Sequence, residues 1–70
     1  MQTQEILQDA KELRQAVAKA MELVEKMKAR LPEMEEPAMS AQCSVIRAFL
    51  YQSVHHEKML EDMIALRSAG

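Results

Sequence analysis

Three places in this sequence hold residue types that could do chemistry. The first is His55-His56-Glu57, two imidazoles and a carboxylate in a row. Such groups ligate zinc and relay protons. The spacing works against a metal. On a helix, adjacent side chains point about 100° apart, so His55 and His56 cannot reach one ion from the same chain. The carboxylate–x–x–His pattern of di-metal bundles does not occur. A site shared between two copies across a dimer axis is the one arrangement left open. Surface or boundary histidines are the expected alternative, and His56 could add pH sensitivity. The sequence therefore predicts no metal and no cofactor.

The second place is Cys43, the lone cysteine. A single thiol excludes an internal disulfide framework. A helix N-terminus can lower a thiol pKa. No His or acid stands at a helical spacing that would make a catalytic pair with it, so a buried, inert thiol is expected.

The third is Glu57 itself, which falls on an otherwise apolar face near Ser53. In an antiparallel hairpin turning near residues 34 and 35, Glu57 comes within a turn or so of Arg14. An Arg14–Glu57 pair, if buried, would cost stability and could fix register. The alternatives are a bundle-edge carboxylate reaching water, or a functional site. No nucleophile–base pair, carboxylate dyad or phosphate loop is visible, so the chain is not expected to be an enzyme.

These residues need helices to position them. The 70 residues allow one small domain, spanning 1–70. Leu, Met, Ala, Glu, Gln and Lys dominate, and all favour helix. Ile6, Ala10, Leu13, Val17, Ala20, Val24, Met27 and Leu31 alternate steps of four and three, a heptad seam. Thr3 is the candidate N-cap. Pro32 disfavours helical backbone at Leu31. Helix 1 is thus expected over about 4–31. A Pro-bounded acidic turn follows over 32–37, with Glu33, Met34, Glu35 and Glu36 between the prolines. Pro37 suits the first position of a helix, with Ser40 as the rival cap. Helix 2 is expected over about 38–67, with an apolar face of Met39, Cys43, Ile46, Phe49, Leu50, Leu60, Met63 and Ile64. Val54 lies at its margin.

The fold class expected is all-α: an antiparallel two-helix hairpin dimerising into a four-helix bundle. The reason is energetic. A lone hairpin buries one seam, too little apolar surface to offset the entropy of ordering some 60 residues. Two hairpins give each helix two neighbours and use the wide face of helix 2. The residues expected to form the core and dimer contact are Leu13, Val17, Val24, Ile46, Phe49, Leu50, Leu60 and Ile64. In layout this resembles the Rop type of helical-hairpin dimer. No sequence motif is shared with it, and no residue role is carried over.

Charges of both signs interleave, for a net charge of -2, which argues for a solvated surface rather than a nucleic-acid stripe. No apolar run approaches a membrane span, and the N-terminus lacks the pattern of a signal peptide. A cytoplasmic protein with no membrane partner is expected. Tyr51, Met59 and Leu66 lie off the main apolar face, the composition of a protein-binding patch. Met34 with Glu33, Glu35 and Glu36 offers a second, anionic contact. Scattered surface apolar residues and a solvated loop are the ordinary readings of both. The function expected is a small homodimeric protein-interaction regulator. It would act as an adaptor, inhibitor or anti-activator on a larger protein, with a transcription regulator as one concrete target. The alternatives are a Rop-like nucleic-acid-binding dimer, or a structural or chaperone subunit of a larger assembly.

Overall fold

Helix-favouring residues flank one proline-bounded break, and the computed structural model has that form. It describes residues 2–69, with side chains as far as Ser68. Helix α1 runs Gln2–Arg30, a 3-10 turn Leu31–Met34, and helix α2 Pro37–Ala69. Among the described residues there is no strand. α1 starts ahead of Thr3, so Thr3 lies inside the helix rather than capping it. α1 ends at Arg30, and Leu31 opens the 3-10 turn. Lys28 and Arg30 occupy the last turn of α1, where positive charge suits the helix dipole.

The break is built by the two prolines. The chain leaves α geometry at Leu31, ahead of Pro32, and tightens into the 3-10 turn. Glu35 closes that turn in the left-handed region, at φ 54°, with its N–H donating to the Pro32 carbonyl at 3.1 Å. Pro37 then opens α2, where a missing N–H costs nothing.

The helices fold back on each other to a body of 54 × 15 × 12 Å. Ala10 and Val24 of α1 and Cys43 of α2 are its buried apolar residues. Val17, Ala20 and Met21 on α1, Leu31 at the start of the 3-10 turn, and Leu50 and Ile64 on α2 are half-buried beside them. Among the described residues no large side chain is fully buried. The line of contact on α1 is rotated by about 40° from the centre of the heptad seam, counting about 100° per residue. Ile6, Leu13 and Met27 of that seam consequently stand open to solvent. On α2 the offset has the same sense. Ile46, Phe49, Leu60 and Met63 lie beside the contact line rather than on it. Of the residues expected to form the core, Leu13, Ile46, Phe49 and Leu60 are thus exposed on a single hairpin.

Candidate protein-interaction surface

The two sides of the hairpin differ, and the heptads explain why. Each helix carries an apolar stripe wider than one neighbour can cover. Both stripes spill over the same side. There Val24, Leu31 and Cys43 floor a groove walled by Met27, Met39 and Ile46. The apolar wall continues along both helices. Ile6, Leu13, Ala20 and Met27 line α1. Met39, Ile46, Phe49, Leu60 and Met63 line α2. Phe49 is 68% exposed and Met63 66%. A single exposed Leu needs no explanation, but a contiguous apolar strip along the length of the molecule does.

The opposite side is polar and tied together by ion pairs. Arg47 donates through Nε to Glu25 Oε1 across the two helices. The same guanidinium lies 4.7 Å from the centre of the Tyr51 ring, and its Nη2 donates to the Tyr51 hydroxyl at 3.4 Å. The Glu25 carboxylate pushes the Arg47 pKa further up, first through the hydrogen bond and then through its charge. Farther along, Arg14 Nη1 stands 3.4 Å from Glu61 Oε2. Lys58 pairs with Asp62 at 3.7 Å, one helical turn away. Tyr51 sits on the flank of α2, half-exposed and held by Arg47.

Two expectations about Glu57 need correction. The structure pairs Arg14 with Glu61, one turn beyond Glu57, because the hairpin's register sets Arg14 level with Glu61. Glu57 also does not reach water at the bundle edge. It is only 8% exposed, between the helices, where its Oε2 lies 3.1 Å from the Ser53 hydroxyl. Its Oε1 has no hydrogen-bond partner among the described residues.

The remaining candidates fall into place. Cys43 is buried, its Sγ 3.7 Å from the Val24 carbonyl, a weak contact that helps hold the seam. His55 and His56 meet edge to face with ring centres 5.5 Å apart. Both are exposed on α2. No group of three or more His, Cys, Asp or Glu among the described residues is close enough together to hold a metal ion. No described helix is long and apolar enough to cross a membrane.

Met59 and Leu66 are exposed on the outer face of α2, Leu66 at 79%. Met34 and Glu33, Glu35 and Glu36 are exposed around the turn. The turn acids are thus at one end of the molecule and do not join Tyr51, Met59 and Leu66 into one patch. Arg47 and Glu25 are the pair that sequence reasoning missed. An antiparallel fold about residue 35 brings position 47 level with position 25, and their opposite charges were the available signal. No protein-family model, no curated protein and no solved structure matches this chain.

Proposed function

We propose that this chain is a small non-enzymatic helical protein that pairs with itself through its open apolar side and regulates a larger protein by binding it. One observation carries the first part. The apolar stripes of both helices are centred between the neighbouring helix and the same open side, as in a helix with two neighbours. A lone hairpin would gain nothing from Ile6, Leu13, Ile46 and Leu60 at those positions. The second part is supported by what self-pairing leaves uncovered. Tyr51, backed by Arg47, is an aromatic with a polar tip on the flank of α2, and Met59 and Leu66 are exposed apolar side chains farther along its outer face. An adaptor, inhibitor or anti-activator acts through such a surface.

Sedimentation equilibrium tests the pairing. A dimer at micromolar concentration is expected, and a cooperatively folding monomer would overturn the reading. Affinity capture from source cells tests the partner. A specific companion should be retained by the wild type and lost by the Tyr51→Ala/Met59→Ala double variant, with helicity unchanged. The nucleic-acid reading has less support. Arg14, Lys19, Arg47 and Lys58 each already face a carboxylate within the chain. A gel shift at low salt, where phosphate binding is strongest, checks it.

A further inference from the structure

The open side carries its own orientation code. Beside the apolar strip, the outer edge of α1 presents Glu5, Asp9 and Glu12 in its first half. It presents Lys19, Lys26 and Arg30 in its second half. All six are exposed. Acids thus crowd one end of this edge and bases the other.

Such an edge is complementary to itself run backwards. We propose that two copies meet through their open sides with their turns at opposite ends, about a two-fold axis crossing near Val17 and Ser53. This rests on the self-pairing reading above and specifies its geometry. The Val24–Cys43 and Arg14–Glu61 contacts fix which positions of the two helices are level, and Val17 and Ser53 fall between them. About that axis, Glu5 of one copy lies level with Arg30 of the other, and Asp9 with Lys26. Glu12 comes within a turn of Lys19. Each pairing occurs twice by symmetry.

The apolar layers match in the same register. Ile6 meets Met27, and Leu13 meets Ala20. Ile46 meets Leu60, and the two Ser53 residues meet each other. The exposed Phe49 packs over His56 of the second copy. The competing arrangement places both turns at one end and sets the α1 edge against the edge of α2. That edge is formed by Gln42, Phe49, His56, Met63 and Arg67, with one permanent charge to answer six. Each of these surface pairs is weak alone. Their arrangement selects orientation while the apolar strip supplies affinity.

Spin labels at the turn distinguish the two arrangements. In a Cys43→Ala background, a nitroxide on Glu36→Cys places one label beside the turn of each copy. The proposal expects a label-to-label distance of about 45 Å, the length of a helix of some 30 residues. A distance below about 25 Å in a dimer of confirmed mass overturns the orientation and leaves self-pairing standing. A monomer overturns both. The second measurement uses charge reversal. The Glu5→Lys/Glu12→Lys variant and the Lys19→Glu/Arg30→Glu variant should each self-associate about tenfold more weakly. Mixed one to one, they should form a heterodimer at wild-type strength. If the mixture gains nothing over either variant alone, the orientation is wrong.

Discussion

The Ser53 hydroxyl lies 3.1 Å from Glu57 Oε2 and 2.8 Å from the Leu50 carbonyl, with a single proton to serve both. The Glu57 carboxylate is therefore under-supplied. One oxygen shares a donor and the other has none among the described residues. A buried charge so placed costs more than an apolar side chain of the same size. Glu57→Met should raise the urea midpoint, corresponding to about 1 kcal/mol or more of added stability. Ser53→Ala should lower it by about 1 kcal/mol. If Glu57→Met instead destabilises the protein, the carboxylate has a partner that only the assembled form supplies.

The exposed apolar strip makes a sharper prediction about size of effect. Phe49 is 68% exposed on the single hairpin, and Leu60 is also open. At a true surface site, truncation to alanine changes stability within about 0.5 kcal/mol. Buried in a dimer, Phe49→Ala and Leu60→Ala should each cost about 2–4 kcal/mol. The thermal midpoint should also rise with protein concentration in the wild type. Urea melts at two concentrations measure both.

Cys43 offers a probe of the seam. Buried at the floor of the groove and hydrogen-bonded to Val24, the thiol should react slowly with a thiol reagent until the structure opens around it. The native rate should fall well below that in urea and should track local opening. Fast labelling in the native state would mean that the Cys43 thiol is reached through the groove or by ready separation of the helices.

Arg47→Ala should free the Tyr51 ring. Tyr51 is the only tyrosine, and there is no tryptophan, so intrinsic fluorescence reports on it alone. Faster depolarisation of that emission is expected, with little change in melting, because the Arg47–Glu25 pair is exposed and screened by salt. Unchanged anisotropy would show that the guanidinium does not hold the ring.

Much of this fold was legible in the residues. Pro32 and Pro37 mark the break, and the heptad from Ile6 to Leu31 marks α1. Burial of Cys43 followed from its place on the apolar face. The direction in which α1 faces α2 was not legible. A heptad gives the centre of an apolar stripe, and in a helix with two neighbours that centre points between them. The Arg14 partner was missed for a related reason. Glu57 and Glu61 lie one turn apart on nearly the same face of α2, so periodicity cannot choose between them. The choice depends on axial register, which the turn geometry sets. α2 is apolar around much of its circumference, so its inner face was ambiguous, and the exposure of Ile46, Phe49 and Leu60 followed from the actual contact line.

The left-handed Glu35 and the following Glu36 are the only two positions between Gln2 and Ala69 outside helical geometry. A rod of one continuous helix, about 100 Å long, is thus a near competitor of the hairpin. Pro32 and Pro37 hold that competitor off, since a proline inside a helix lacks a donor and clashes with the preceding turn. With both replaced by alanine, the chain should straighten into such a rod and exchange its halves with a neighbour, giving helix-swapped assemblies in place of the hairpin.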